Sequence, residues 1–326
     1  MKQNYLPLAT AACCALAFST DIAAAADSYP SKAVRLVVPF TPGGGNDIAA
    51  RFVAQRLSES FKQTAVVDNR PGAGSTLGTD LVTKSPPDGY TLLVIHNAIA
   101  INQTLYPKLP YDTVRDLAQI AFIGVTTNTL VTNPAVPAKS VKELIALAKS
   151  KPGDLNYGST GAGGTSHLAM EYFRLETGTQ LVHIPYKGTA PALTDLVGGQ
   201  VQVMISALPG TMPFINSKRV TALATTGAKR SAFLPDLPTL NESGVAGYEF
   251  DTWYGLHAPS KVPQEIIVKL HSTITNSLSQ PAVRDQLFKQ GLEARTGTTA
   301  EFAKFVRAEV VKMGRIIKAS GAKAEP

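Results

Sequence analysis

The chain has 326 residues, with 31 Lys and Arg against 24 Asp and Glu for a formal net charge of +7. Charged residues make up 17% and apolar residues 44%, which excludes long disordered or coiled-coil tracts, and the length exceeds one ordinary core and predicts two domains. The basic residues are scattered rather than gathered into the run that marks a nucleic-acid arm, so no nucleic-acid partner is expected.

Residues 1–26 read as a secretory signal: Lys2 supplies the positive start, residues 5–18 an apolar stretch, and alanines at 23–26 a small-residue cleavage site. The stretch falls short of the ~20 residues of a membrane span. The mature chain is therefore expected to begin near Asp27 and to be exported. Both cysteines, Cys13 and Cys14, fall inside this leader, which removes disulfides, catalytic thiols and zinc-thiolate sites from the expected mature protein. Lipid anchoring at either cysteine is disfavoured, because Thr10 and Ala11 stand where such signals carry a larger aliphatic residue.

From Val34 onward short β-branched runs alternate with helical patterns. Strands are predicted at 34–38, 64–67 and 90–95, with helices at 47–61 and 76–84 between them. A second unit begins after Leu130: helix 141–149, strand 155–157, helix 167–176, strand 181–184, helix 191–197 and strands 201–205 and 220–224. This order predicts an α/β fold of two lobes, each a mainly parallel sheet flanked by helices. Three more helices, at 263–278, 281–289 and 299–320, bring no strand unit of their own and are expected to return over the first lobe. The implied division is 27–127 for the first lobe, 128–250 for the second and 251–326 for the return crossing and final helices. Crossings near 124–128 and 250–254 would form a hinge, with a ligand cleft between the lobes.

Three Gly-rich loops stand at strand-to-helix junctions: Phe40-Thr41-Pro42-Gly43-Gly44-Gly45-Asn46-Asp47, Asn69-Arg70-Pro71-Gly72-Ala73-Gly74-Ser75, and Tyr157-Gly158-Ser159-Thr160-Gly161-Ala162-Gly163-Gly164-Thr165-Ser166-His167. Such loops lie at the carboxyl ends of parallel strands, where the backbone approaches a ligand and points N–H groups at it. A helix N-terminus adds about half a positive charge, which suits a carboxylate or phosphate. Glycines that merely make tight turns are the alternative for any one loop. A nucleotide is disfavoured, since G-x-x-x-x-G-K-[ST] is absent and Gly78 falls one place too late for G-x-G-x-x-G.

Catalysis finds little support. No G-x-S-x-G elbow occurs, and the histidines at 96, 167, 183, 257 and 271 have no i,i+4 metal spacing. His183 on an apolar strand reads as a core histidine, and His167 as a structural hydrogen-bonder before a base. Asp47 caps its helix or touches ligand, and Arg70 pairs with an internal acid or with a ligand carboxylate. The enzymatic alternative is a secreted hydrolase using Ser166 or Ser159 with His167.

Ordered along the chain are Val38-Pro39-Phe40-Thr41-Pro42-Gly43-Gly44 with Asp47, Asn69-Arg70-Pro71-Gly72-Ala73-Gly74, Asp88-Gly89-Tyr90-Thr91-Leu92, Tyr157-Gly158-Ser159 through His167-Leu168 to Glu171, His183-Ile184-Pro185-Tyr186-Lys187-Gly188, Pro238-Thr239 and Trp253-Tyr254-Gly255. With these motifs the chain resembles the extracytoplasmic solute receptors of the tripartite tricarboxylate transporter family, of the Bug type, over essentially all its mature length. The resemblance implies two lobes closing on a small carboxylate, with no cofactor and no turnover, and delivery to the membrane permease of a tripartite tricarboxylate transporter by a monomeric receptor. It places one set of contacts at Phe40, Thr41, Pro42, Gly43 and Gly44, with Asp47, Gly72 and Gly74 from the same lobe. The opposing set is Ser159, Thr160, Gly161, Gly163, Gly164, Thr165 and His167, with Tyr186 and Lys187 for the rest of the ligand.

Two positions depart from the family pattern. Ser206-Ala207 follows a strand where many relatives place an acid or amide, which disfavours an amino-acid ligand. His96-Asn97 stands where small hydroxyl residues are usual, and His96 can donate to a distal carboxylate or stack on a ring. A dicarboxylate or aromatic carboxylate is therefore the expected ligand, carried by a transport receptor or read by a sensor of the same build.

Overall fold

The computed structural model describes residues 29–324, so the leader lies outside the described residues. β1 (Val34–Val38), β2 (Ala65–Asn69) and β3 (Thr91–His96) are joined by α1 (Gly45–Phe61) and α2 (Thr76–Thr83). α3 (Ala98–Leu105) then leads to β4 (Leu117–Thr126), and the next strand, β5 (Asn128–Thr132), already belongs to a second sheet. That sheet is completed by β6 (Asn156–Ser159), β7 (Val182–Pro185), β8 (Val203–Ala207) and β9 (Thr221–Thr225), with α4 (Val141–Ser150), α5 (Thr165–Thr177), α6 (Thr189–Val197) and α7 (Leu208–Asn216) between them. The chain returns through β10 (Thr252–Pro259), α8 (Gln264–Leu278), α9 (Pro281–Lys289), β11 (Glu293–Ala294) and α10 (Thr299–Ser320).

The first sheet runs β11-β4-β10-β3-β1-β2 and the second β7-β6-β8-β5-β9. Both are mixed, where the sequence predicts mainly parallel sheets. β1 pairs in parallel with β2 and β3, but β10 runs antiparallel to β3 and β4 and β11 to β4. In the second sheet β6 is parallel to β7 and β8, and β5 is antiparallel to β8 and β9. The reversed strands are β10 and β11 in the first sheet and β5 in the second, and β5 and β10 are the strands entered from the crossings. β5 and β10 arrive with no crossover helix between them and the preceding strand, so nothing forces them parallel. β10 sits in mid-sheet and all eight of its residues are buried.

Hydrogen bonds tie the crossings together. Asn128 Nδ2 donates to Phe250 O at 2.5 Å, Thr252 Oγ1 to Asn128 Oδ1 at 2.6 Å, and Thr226 Oγ1 to Phe250 O at 2.8 Å. α10 packs on α3 and β4 of the first lobe and also on α5 of the second. Trp253 Nε1 donates to Glu309 Oε2 at 2.9 Å and pins α10 to β10. No helix among the described residues is long and apolar enough to cross a membrane.

Candidate ligand-binding site between the lobes

A narrow cavity lies where the lobes meet. Phe40, Gly44, Gly45, Asn46, His96 and Tyr254 line it from the first lobe, Thr160, Thr165, Ser166, Thr189 and Ala207 from the second, and Asn128 and Thr252 from the crossings. Four helices begin here. α1, α5, α6 and α7 start after Gly44, Gly164, Gly188 and Ala207, and none of these N-cap residues makes a side-chain capping bond. Ser140 Oγ caps α4 and Thr298 closes a capping box with Glu301 on α10, but α2, α3, α8 and α9 are uncapped as well, so what sets the four apart is that their starts meet at one cavity. The helices that meet the cavity therefore direct their first N–H groups and positive dipole ends toward it. None of its lining residues is Lys, Arg, Asp or Glu.

Two polar atoms of this lining are buried without a partner, Tyr254 OH and Asn46 Oδ1. Burial raises the Tyr254 pKa far above the phenol range, so its hydroxyl is a proton donor. It lies over Gly45, where any Cβ would overlap the hydroxyl, and that contact requires glycine at the start of α1. His96 Nδ1 accepts from Ala98 N at 3.0 Å and from Thr165 Oγ1 at 3.0 Å. Burial lowers the His96 pKa to about 3, so the ring is neutral and its single proton is on Nε2. Phe40 packs on the ring with centroids 4.7 Å apart.

The cleft is shut. Thr165 to His96 is one bridge between lobes; Tyr106 OH to Ala162 O at 2.9 Å and Thr41 N to Lys187 O at 3.2 Å are others. Gly74 has φ 58°, and a Cβ there would run into Ala162 O of the opposite lobe. Only about 20 Å³ of the cavity admits the centre of a water molecule, room for about one water. A second, larger cavity of about 540 Å³ adjoins it, with Phe40 and Thr160 lining both.

The residues singled out from sequence fall into three groups. Phe40, Gly44, His96, Thr160 and Thr165 line the inner cavity. Gly72, Gly74, Gly161, Tyr186 and Lys187 line the larger one, where Tyr186 OH donates to Asp195 at 2.7 Å. The rest line neither cavity. Pro42 and Gly43 are exposed, Thr41 donates its N–H across the cleft, and Gly163 packs against Asn102 and Tyr106. Gly164 is the N-cap of α5, and Ser206 lies buried on β8 with no partner for its hydroxyl. Asp47 accepts from Gly43 N, Arg51 Nε and Asn69 Nδ2, which folds the first loop. Asn97 donates to Asp251 O and accepts from Trp253 N, which holds the return crossing.

Ser159 and His167 likewise serve the loop. Ser159 Oγ is 2.6 Å from His183 Nε2 and accepts from Gly161 N, while His167 Nδ1 accepts from Gly163 N and its ring stacks on His183 at 4.2 Å. Both contacts of Ser166 Oγ are with Thr160, at 2.7 and 2.9 Å, so the geometry does not join Ser166 to His167 as nucleophile and base. Arg70 pairs with Asp68 at 3.0 Å, the internal-acid alternative. No group of three metal-ligating side chains occurs among the described residues.

Sequence reasoning missed Gly45, Asn46, Asn128, Thr189, Ala207, Thr252 and Tyr254, and considered Ser166 only as a nucleophile. Tyr254 was visible within Trp253-Tyr254-Gly255, and Gly188-Thr189 carries the same Gly-then-helix signal as the other loops.

Two α/β lobes joined by two crossings and closed over a shared cavity define a two-lobed solute-binding protein. Residues 49–322 match the family described as tripartite tricarboxylate transporter family receptor, and the chain belongs to that family. It is 36% identical over 300 residues to protein BugT of Bordetella pertussis, covering 91% of this chain and 92% of BugT. Among solved structures it is similar to R. palustris Rpa4515 with adipate, at 36% identity and a TM-score of 0.88, covering 90% of this chain and 99% of that one. MatC of Rhodopseudomonas palustris with bound malate is 29% identical with a TM-score of 0.85, over 89% of this chain and 100% of that one.

Proposed function

We propose that this chain is a periplasmic receptor that captures a small organic carboxylate between its lobes, without turnover, and delivers it to the permease of a tripartite tricarboxylate transporter. The observation that carries this reading is the inner cavity itself: four helix starts, the unpartnered hydroxyl of Tyr254 and no charged side chain. Such a site offers fixed donors to one anionic group, and each charge-assisted hydrogen bond contributes ~1.5–3 kcal/mol. One carboxylate oxygen takes the inner cavity, in the room of a single water, where Tyr254 OH and His96 Nε2–H are its donors. The body of the ligand extends past Phe40 and Thr160 into the larger cavity, whose volume suits a small organic molecule and where Lys187 offers a cation to a second carboxylate. Adipate and malate in the relatives' structures support a dicarboxylate; Phe40 beside His96 equally suits an aromatic acid.

The test is thermal unfolding of residues 27–326 against adipate, malate, tricarboxylates, benzoate, phthalate, nicotinate and acidic amino acids, with each compound assayed afterwards for consumption. Ligand at 100 times its dissociation constant stabilises the fold by ~2.7 kcal/mol. A shift with one chemical class and full recovery of the compound supports the receptor and names its substrate class. No shift with any of them, from protein shown free of carried-over ligand, sinks the carboxylate reading.

A further inference from the structure

A groove of about 600 Å³ crosses the boundary between the lobes at a place distinct from both cavities of the cleft. One wall is the flank of first-lobe α1, with Ile48 and Arg51; the other is second-lobe α7, with Met212 and Pro213; α9 closes one side with Gln286 and Lys289. Both α1 and α7 begin at the ligand cavity, so the helices whose first turns face the ligand present their flanks to this groove. Parting the lobes separates Ile48 from Met212 and dismantles it. The shape of the groove is thus tied to how far the lobes are closed.

Its chemistry is one-sided. The floor is apolar, and the charged lining residues are Arg51 and Lys289, with no Asp or Glu among them. Lys289 is exposed and makes no ion pair among the described residues, although Asp285 stands one turn before it on α9. Arg51 pairs with the buried Asp47 through Nε at 2.8 Å, which leaves its Nη groups to the groove. An apolar trough with two cations at its rim complements a segment that carries an apolar side chain flanked by carboxylates.

We propose that this groove docks an acidic, apolar-bearing periplasmic segment of the membrane partner, and that the partner thereby distinguishes the shut receptor from the open one. The proposal rests on the receptor reading above, since it assumes that closure accompanies ligand capture.

The test places a photo-crosslinking amino acid at Gln286 of the full-length protein in the bacterium that produces it, with the same probe at Lys142 on α4 as control, and identifies the attached peptide by mass spectrometry. The expected adduct is with an Asp- and Glu-rich periplasmic segment of a membrane protein, at Gln286 only. Lys289→Glu should lower its yield about fivefold, the scale of one exposed ion pair, and Lys289→Gln somewhat less. Both should leave melting temperature and carboxylate-induced shift as in the wild type. Gly74→Ala, which wedges the lobes apart, should lose the adduct and the shift together. No adduct, an adduct with lipid, a soluble protein or a second copy of this chain, or a yield indifferent to Lys289→Glu overturns the groove proposal. Failure of the receptor reading shows itself separately, as wild-type protein whose melting no carboxylate shifts.

Discussion

The two walls of the inner cavity are built differently. On the first-lobe wall Tyr254 OH and Asn46 Oδ1 are buried and unpartnered, whereas on the facing wall the hydroxyls of Thr160 and Ser166 satisfy one another and Thr165 is engaged by His96. A buried polar group left unpaired costs about 1–3 kcal/mol, which a carboxylate recovers at Tyr254 by accepting from its hydroxyl, whereas Asn46 Oδ1 is an acceptor and takes a ligand hydroxyl or a water. The difference separates two tasks. The first wall holds binding energy in reserve, and the second is a rigid arrangement of helix starts whose side chains keep its loop in shape.

Substitutions can break that comparison. Gly45→Ala places a Cβ against the Tyr254 hydroxyl and should weaken carboxylate binding more than about 100-fold in titration calorimetry, since it disturbs the donor and the first turn of α1 together. Tyr254→Phe removes the donor alone, and a loss of ~10–100-fold is expected. An unchanged affinity in Tyr254→Phe would mean that the first wall holds no reserve.

Acid separates affinity from stability. Burial lowers the pKa of His96 and His257 to about 3, of His183 to about 3 with help from His167 and Arg174, and of His167 to about 4. Each is neutral when folded and takes up a proton when unfolded once the pH drops below its ordinary value of 6.5, so the unfolded chain binds more protons and stability declines as pH falls from 6.5 toward 4. Each histidine contributes a slope of up to ~1.4 kcal/mol per pH unit in that window. His257 is the cleanest probe: neither ring nitrogen has a partner, and it packs beside Trp253 and Phe302. His257→Leu should therefore be neutral or stabilising at pH 7 and should flatten the decline of melting temperature with acid, with carboxylate affinity equal to that of the wild type at either pH.

On the second wall smaller effects are expected. Thr165→Val removes the bridge to His96 and should weaken binding by no more than about fivefold, the worth of one neutral hydrogen bond, with the change in the dissociation rate. Thr298→Ala strips the capping box of α10, far from the cavity, and should lower stability by ~1 kcal/mol with no change in affinity.

The Gly-rich loops were legible in the sequence because glycine before a helical pattern marks a tight turn and an uncapped helix start at once. Phe40, Gly44, Thr160 and Thr165 lie in those loops, and it is the family resemblance that marks them as contacts. Asp47, Ser159 and His167 sit in the same loops and Asn97 follows β3, yet their side chains hold backbone in place; residue type does not tell a group that shapes a loop from one that faces its ligand. Tyr254 was hidden for a topological reason. Residues 250–254 read as a crossing, but β10 inserts antiparallel between β3 and β4, and periodicity carries no strand direction. The same blindness produced the expectation of mainly parallel sheets, and it left β4 and β5 out altogether.

The uncapped helix starts have a consequence for how such a site tolerates change. Their attraction for an anion comes from peptide dipoles fixed in a buried cavity, so it is short in range and should respond little to ionic strength, unlike a pocket lined with exposed cations. It also belongs to the main chain, and no single side-chain replacement deletes it. Residues around the cleft are then free to vary, and a lineage of such proteins can exchange one organic acid for another while the anchor for the carboxylate is inherited intact.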